Sequence, residues 1–455
     1  MEEIQILQDH YQKSADVKFK VNKNYALIYC EGLSNVKEVE EELLRRINRH
    51  IKFNPTHLTS SLLTIEEIKD TSFEKLDDLV YSGMCLLYYH RQYYSINVIN
   101  VPKRTPDQSI IDITITGPRD SLIENLETNV ALIRKRLKSS DLHYEKYTLG
   151  QHSKTQVGLL YVEDKCDQKV IDQITQQLEN IKNEDIVSTG QFRNLMFSKK
   201  KKMLFPRMTN TTRPDYCVYS LLAGKFILIL DNFNSANIGP ATLPLFIDFS
   251  DDVNNHYLTT FITRFLYIAS AFIAIYLMPF ILAIYSYHPQ EIPFLWLSNL
   301  LSIQKGLIMP VYLEIIFATF LFELFRVAGT RFPAGISTTL LVIGSVLLGQ
   351  NITSSGFIGY DIMFLSALSI ICNYSISNSI SFNSVITLFK GFAFCCSLFL
   401  GLYGFMIAFI TITIYICQLK SFGKDMLDGE IAISLKAFTN LFKSANFDKK
   451  VEKTR

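Results

Sequence analysis

The chain has 455 residues and a net charge of +2, so its overall charge gives no reason to expect a nucleic-acid partner. Its eight cysteines contain no CxxC pair and no His/Cys group with zinc spacing, so we expect reduced thiols and no metal. The sequence has no nucleophile elbow, P-loop, HExxH or dinucleotide-binding glycine pattern, so it gives no argument for an enzyme or a cofactor.

The character of the chain changes near residue 257. The preceding half is charged, whereas Phe261–Cys417 is predominantly apolar. A membrane-spanning helix needs about 20 such residues, and three stretches provide them: Phe265–Tyr285, Ile358–Ile376 and Gly391–Cys417. The sequence therefore predicts a soluble α/β head followed by an α-helical polytopic membrane domain. Because the N-terminus is polar and acidic, we expect no cleaved signal peptide and a head on the cytoplasmic side.

The head follows one plan twice, which predicts similar α/β subdomains at residues 1–115 and 146–250. In each, a strand and a helix are followed by a short helix, a glycine, a strand, a turn and another strand. The first contains Ala26–Leu33, Val36–Ile47, Gly83, Cys85–Tyr89 and Tyr93–Val98; the second contains Val157–Asp164, a helix with Val170 and Ile181, Gly224, Lys225–Leu230 and a strand that ends at Ile238. The shared order favours a duplication.

A linker helix is predicted between the subdomains, within residues 116–145. Its apolar stripe consists of Leu122, Leu126, Val130, Ile133 and Leu137. Its other face is basic, with Arg134, Lys135, Arg136 and Lys138. This basic face is either solvated, near a helix C-terminus that favours cations, or a contact with a neighbouring subunit or anionic lipid. Periodicity does not choose between the two.

The membrane domain, residues 257–420, is predicted to cross the bilayer about five times, with four or six crossings as alternatives. Glu323 and Arg326 lie three residues apart in Tyr312–Ala328, so they are predicted to pair; snorkelling to the interface is the alternative. The last apolar stretch is too long for one untilted helix. There, Lys390 and the Gly401/Gly404 pair indicate an interfacial start or a break. Residues 421–455 form a polar tail.

Ile336–Gly356 is the apolar stretch richest in small and polar side chains. On a helix, one face would carry Leu341, Gly344, Leu348, Asn351 and Ser355. A narrow pore often combines such positions with an apolar constriction, which Leu341 and Leu348 would form. Close helix packing at the glycines is the alternative interpretation.

Several segments, in order, resemble one protein family. Thr116–Leu142 reads TGPRDSLIENLETNVALIRKRLKSSDL, and it resembles the GPRE…N..LIR.R.K signature of the GerA family, the A subunits of bacterial spore germinant receptors. The matching positions are Gly117, Pro118, Arg119, Glu124, Asn129, Arg134 and Arg136. Phe205–Asp215 resembles the family's FP….ERPD element through Arg213, Pro214 and Asp215.

Later segments match the same family: Gly239–Phe246, Phe322–Pro333, Val342–Gln350 and Leu419–Gly423. The chain also departs from the family pattern. Thr116 and Thr212 replace a usual arginine and glutamate, and Val327 replaces the glutamate of REAG. The chain is therefore identified as a divergent member of the GerA family.

The resemblance implies a multi-pass protein of the spore inner membrane with its head in the spore core. It implies self-association and two further partners, a transporter-like B subunit that binds the nutrient and a lipoprotein C subunit. The implied function is nutrient-triggered germination by a ligand-gated cation-release pathway. The alternatives are an accessory germination protein without nutrient sensing, a non-conducting scaffold and a solute carrier. The carrier is disfavoured because the sequence shows no inverted repeat of broken helices.

Overall fold

The computed structural model describes residues 2–22, 25–34, 65–68, 71–89, 92–98, 118, 120–197, 203–247, 257–294, 307–329, 346, 349–377 and 379–427. The chain divides into two compact units. The head unit contains Met1–Met203, Arg207–Ala241 and Ser421–Gly423. The helical unit contains Leu204–Pro206, Thr242–Lys420 and Lys424–Arg455.

The first half of the head is a five-stranded antiparallel sheet with helices. Its elements are α1 (Glu2–His10), β1 (Val17–Val21), β2 (Tyr25–Cys30), β3 (Ile65–Ile68), α2 (Phe73–Tyr81), β4 (Cys85–Tyr89) and β5 (Gln92–Ile96). The strand order is β1-β2-β4-β5-β3. Alternate residues of β2 enter separate core clusters, Ala26 and Ile28 in one and Tyr25 and Leu27 in the other. Both faces of this sheet are therefore buried. The predicted helix Val36–Ile47 lies outside the described residues.

The second half of the head repeats this topology. A helix, α3 (Leu126–Arg136), comes first. The elements that follow are β6 (Leu142–Leu149), β7 (Thr155–Val162), α4 (Gln168–Asn180), α5 (Thr189–Met196), β8 (Thr209–Thr211), α6 (Pro214–Leu222), β9 (Phe226–Leu230) and β10 (Ala236–Gly239). The strand order, β6-β7-β9-β10-β8, corresponds strand for strand to that of the first sheet. Within α4, Val170, Ile174 and Leu178 recur at helical spacing and fill the core beneath the sheet.

The correspondence extends to one glycine in each half. Gly83 precedes β4 with φ +90°, and Gly224 precedes β9 with φ +78°. A Cβ atom at Gly83 would lie 2.7 Å from the carbonyl oxygen of Leu33, and one at Gly224 would lie 2.6 Å from that of Lys165. Each position therefore requires glycine for two reasons: its backbone is in the left-handed region, and a neighbouring carbonyl leaves no room for a Cβ atom.

The helical unit is built from apolar helices, of which the first is a single short turn and the others are long. They are α7 (Leu243–Ile247), α8 (Tyr257–Tyr287), α9 (Val311–Gly329), α10 (Tyr360–Ile376) and α11 (Ile380–Cys417), with a 3₁₀ turn at Pro289–Glu291. Among the described residues, Phe261–Tyr287 and Ser381–Cys417 are long and apolar enough to cross a membrane. The count of five crossings stays a prediction, because residues 295–306 and 330–345 lie outside the description.

The break predicted in the last apolar stretch is confirmed at Gly401. Its φ of +58° and ψ of −134° interrupt α11. A Cβ atom there would lie 2.9 Å from the ring of Tyr287, and the hydroxyl of Tyr287 donates a hydrogen bond to the Leu398 carbonyl at 2.5 Å. The break therefore requires glycine at position 401. The Tyr287 hydroxyl, at the end of α8, satisfies the Leu398 carbonyl in the turn before the break.

Candidate functional site

The segment ahead of α3 is held by several hydrogen bonds to side chains. Asn125 caps the helix and accepts from the Thr128 N–H at 2.8 Å. The fully buried Asn129 closes the turn, because its amide donates to the Ile123 carbonyl at 2.6 Å and accepts from the Ile123 N–H at 2.8 Å. The Asp231 carboxylate accepts from the Leu126 N–H at 3.1 Å. The start of α3 is thereby fixed to the turn between β9 and β10.

Arg134 forms a buried ion pair with Asp16 from the first half of the head. Its Nε lies 2.8 Å from Asp16 Oδ2 and its Nη2 lies 3.2 Å from Oδ1. The third nitrogen donates to the Ser139 carbonyl at 2.8 Å, and the guanidinium carbon lies 4.3 Å from the centre of the Tyr81 ring. Arg134 is 0% exposed and Asp16 is 3% exposed.

The expectation that Arg134 belongs to a solvated basic face, or to a contact with lipid or another subunit, is wrong. The physical reason is the buried carboxylate of Asp16, which neutralises the guanidinium inside the head. Only Lys135 and Lys138 of the predicted basic face are exposed. Arg136 is held by Asp120 through two contacts of 2.7 and 2.6 Å.

The ion pair also sets the chemistry of its neighbours. Burial opposes the charge of Arg134, yet the adjacent Asp16 raises the pKa of the guanidinium above its ordinary value. Burial, and then the nearby Asp16, raise the pKa of the Cys30 thiol. Burial raises the pKa of Tyr81 to about 12. All three groups therefore keep their protons at neutral pH, which makes Cys30 a poor nucleophile.

Helix α3 packs against both sheets of the head. Ala131 belongs to the core of the first sheet, and a Cβ atom at Gly32 would lie 3.2 Å from the Ala131 Cβ. On the side of the second sheet, a Cβ atom at Gly158 would lie 3.1 Å from a methyl carbon of Leu126. The two halves are thus joined through α3, and a glycine in each half, Gly32 or Gly158, lets the backbone lie close to this helix.

The second family motif meets this helix. Arg213 is 1% exposed and precedes Pro214, the first residue of α6. Its guanidinium contacts the Asp215 carboxylate at 3.1 and 2.6 Å. The Thr212 carbonyl accepts from the Leu122 N–H at 2.7 Å. We call α3, Asp16, residues 120–125 and residues 212–215 the head joint.

The predicted family positions therefore converge only in part. Asn129, Arg134, Arg136, Arg213, Pro214 and Asp215 lie in the head joint. Glu124 also lies in the head joint, but its side chain is exposed and it contributes its carbonyl, which accepts from the Asn232 N–H at 2.7 Å. Pro118 is exposed, and Gly117 and Arg119 lie outside the described residues. The residue that sequence reasoning missed is Asp16.

Most of the predicted ion-pathway residues lie outside the description. This holds for Leu341, Gly344 and Leu348. Asn351 and Ser355 are exposed, and the Ser355 hydroxyl donates to the Asn351 carbonyl at 2.6 Å. The side chain of Arg326 is also outside the description, so its pairing with Glu323 stays a prediction.

The helical unit also buries a carboxylate outside the predicted pair of Glu323 and Arg326. Glu314, in the first turn of α9, is 1% exposed. One of its oxygens accepts from the Gly359 N–H, at the N-terminal cap of α10. Among the described residues its other oxygen, Oε2, has no hydrogen-bond partner. The carboxylate therefore ties α9 to α10 through a backbone group.

Comparison with known proteins identifies the family. Residues 3–455 match the family described as Bacillus/Clostridium GerA spore germination protein. The chain is 33% identical over 410 residues to spore germination protein XA of Bacillus anthracis, covering 88% of this chain and 83% of the relative. It is 26% identical over 409 residues to the uncharacterized membrane protein YfkQ of Bacillus subtilis strain 168, covering 89% and 79%. The chain belongs to the GerA family.

One solved structure shows a weaker similarity. It is the crystal structure of the N-terminal domain of the A subunit of the Bacillus megaterium spore germinant receptor GerK3. The similarity covers 53% of this chain and 94% of that one, with 22% sequence identity and a TM-score of 0.39.

Proposed function

We propose that this protein is the A-type subunit of a nutrient-responsive spore germinant receptor. The observation that carries the proposal is the family match over residues 3–455, which includes both the head and the helices. The relative with 33% identity is itself named a spore germination protein. The head joint supports the proposal further, because residues that resemble the family signature build it.

In the proposed mechanism, a transporter-like B-type partner binds the nutrient and a C-type lipoprotein completes the complex. The A-type subunits self-associate in the spore inner membrane, with their heads on the core side. Their helices provide a cation pathway that opens when the nutrient binds. The two long apolar helices support a membrane location.

Gene deletion tests the germination role. Spores that lack the gene are exposed to single amino acids, sugars and nucleosides, and the fall in optical density and the release of potassium are measured. We expect loss of the response to one nutrient group and restoration by the wild-type gene. An equal slowing of every response would instead indicate an accessory protein, and unchanged responses would contradict the proposal.

Reconstitution tests the cation pathway. The purified complex is placed in liposomes that are loaded with cations, and a cation-sensitive dye outside the liposomes reports their release. We expect release only when the nutrient is added. Within the proposed pathway, Leu348→Ala should make spores leak cations without nutrient, since it would remove an apolar constriction. Leu313→Ala, on an exposed face of α9, is the control. Normal dormancy at normal abundance in the Leu348→Ala strain would argue against Leu348 as part of the gate.

A further inference from the structure

Each unit contains one short segment whose neighbours in the sequence belong to the other unit. Ser421–Gly423 follows the last apolar helix, α11, yet it belongs to the head unit. Leu204–Pro206 lies within the sequence of the second half of the head, yet it belongs to the helical unit. Each of these segments carries a buried phenylalanine. We call Ser421–Gly423 the exit anchor and Leu204–Pro206 the entry anchor.

In the exit anchor, Phe422 is part of the core of the second sheet. It is 5% exposed, and its ring centre lies 5.0 Å from that of Phe226 and 5.5 Å from that of Phe197. Its φ is +49°, an uncommon value for a residue with a side chain. The surrounding packing therefore holds a strained backbone in place.

The neighbouring Ser421 fixes the same segment with hydrogen bonds. It is fully buried, its hydroxyl donates to the Arg207 carbonyl at 2.9 Å, and it accepts from the Ala241 N–H at 3.2 Å. Arg207 and Ala241 are the first and last residues of one head segment, Arg207–Ala241. One hydroxyl thus joins the exit anchor to both ends of the head segment Arg207–Ala241.

The entry anchor is held in the same manner inside the helical unit. Phe205 is 4% exposed, and its ring centre lies 5.5 Å from that of Phe382 and 5.9 Å from that of Phe389. The Leu204 N–H donates to the Tyr415 hydroxyl at 3.1 Å. Tyr415 lies two residues before the end of α11.

We propose that Phe422 and Phe205 are reciprocal anchors that transmit movement of α11 to the second sheet of the head. This inference rests on the proposed function and names positioning residues within it. Five residue steps separate the end of α11 from Phe422, a reach of at most about 18 Å even when fully extended. If α11 moves farther than this connection can extend, either the second sheet must move with it or the Phe422 ring must leave the core of that sheet. Exposing the ring is unfavourable.

The main test compares two equal substitutions in one core. Phe422→Leu changes the exit anchor, and Phe192→Leu changes a fully buried phenylalanine of the same cluster that lies in α5. Both are expressed as full-length chains in spores, with protein abundance, half-saturating nutrient concentration and maximal germination rate as readouts. We expect Phe422→Leu to lower the maximal rate about tenfold at unchanged half-saturation, and Phe192→Leu to leave it near wild type. Equal effects at equal abundance would overturn the proposal.

A second variant loosens the connection and leaves both anchors intact. Four Gly/Ser residues are inserted between Gln418 and Leu419, after the end of α11. The control is the same insertion between Lys182 and Asn183, in an exposed turn of the head. We expect only the first insertion to abolish the nutrient response at normal abundance. A normal response with the lengthened connection would refute transmission through it.

Hydrogen exchange on the purified full-length chain tests the anchor independently of germination. Residues 419–426 should exchange as slowly as β9, into whose core Phe422 packs. Exchange at the rate of an exposed loop would overturn the anchor even if the protein proves to be a receptor subunit. Conversely, slow exchange together with an unaffected deletion strain would leave the anchor in place and contradict the proposed function.

Discussion

The head and the helical unit each bury a carboxylate, Asp16 in one and Glu314 in the other, and the two carboxylates have different partners. In the head joint, a charged side chain meets a charged side chain, because all three nitrogens of Arg134 donate and two of them reach Asp16. In the helical unit, Glu314 and two hydroxyl groups bond to backbone groups instead. Tyr287 donates to the Leu398 carbonyl, Ser369 to the Ala274 carbonyl, and Glu314 accepts from the Gly359 N–H.

This difference follows from the kind of structure each unit contains. The joint holds two sheets together through one helix, so its strongest contact links residues that are 118 positions apart. In a bundle of apolar helices, the backbone groups that lack a helical partner are those at helix ends and breaks, such as the Gly359 N–H and the Leu398 carbonyl. An apolar environment makes each of these groups costly to leave unpaired. Substitutions should therefore act on global stability in the head and on local helix geometry in the helical unit.

The largest expected effect comes from removing one charge of the buried pair. Arg134→Met leaves the Asp16 carboxylate buried without its partner and should lower stability by about 3–5 kcal/mol. Thermal unfolding of the detergent-purified chain measures the loss. The double variant Asp16→Asn/Arg134→Met should recover much of it, since no uncompensated charge remains. A double variant as unstable as the sum of both single variants would show that the pair does not interact.

Next in size is the helix break. Gly401→Ala forces a side chain into a backbone conformation that glycine alone adopts readily, and against the Tyr287 ring, so it should cost about 1–3 kcal/mol. The matched control is Gly391→Ala in the same helix, where a Cβ atom would meet nothing within 4 Å. Because alanine favours helix, the control should be neutral or slightly stabilising. Equal melting temperatures for both variants would contradict a required break.

The same conservative change should have unequal effects in the two units. Asp16→Asn removes the counter-charge of Arg134 but keeps an amide oxygen that can accept from the guanidinium, so it should cost less than Arg134→Met, about 1–3 kcal/mol. Glu314→Gln retains an acceptor for the Gly359 N–H and alters an oxygen without a partner among the described residues, so it should cost less than about 1 kcal/mol. Comparable losses of melting temperature would show that Glu314 also holds a counter-charge.

The sequence predicted those features of the fold that depend on residues at or near one position, and it did not predict contacts between distant residues. The helix–glycine–strand repeat at Gly83 and Gly224 and the break at Gly401 were visible, because glycine marks a backbone requirement at its own position. The partner of Arg134 was not visible, since nothing near Asp16 indicates a residue 118 positions away. One local signal was overlooked: Arg134 follows Val130 by four residues and so lies at the edge of the apolar stripe. The exit anchor was likewise invisible, because a single phenylalanine after a helix has no periodicity.

The smallest expected effect concerns a carboxylate on the surface of the head. Asp185 accepts from the N–H groups of His152 and Ser153 at 2.8 and 2.9 Å, and these bonds, those of the backbone above all, hold the pKa of Asp185 well below its usual range. Since an unfolded aspartate has a pKa of about 3.9, the contribution is present above about pH 4 and is lost as the pH falls through the folded-state value.

Asp185→Asn should therefore lower the melting temperature slightly at pH 7, and the gap to wild type should begin to narrow below about pH 4. The amide keeps an acceptor for the two N–H groups, so the loss at pH 7 should be smaller than for the buried Asp16. Melting curves of both purified chains between pH 7 and pH 3 provide the measurement. A difference in melting temperature that stays constant from pH 7 to pH 3 would mean that the Asp185 charge does not contribute to stability. Asp185 would then differ from the buried Asp16 in the type of its contribution as well as in its magnitude.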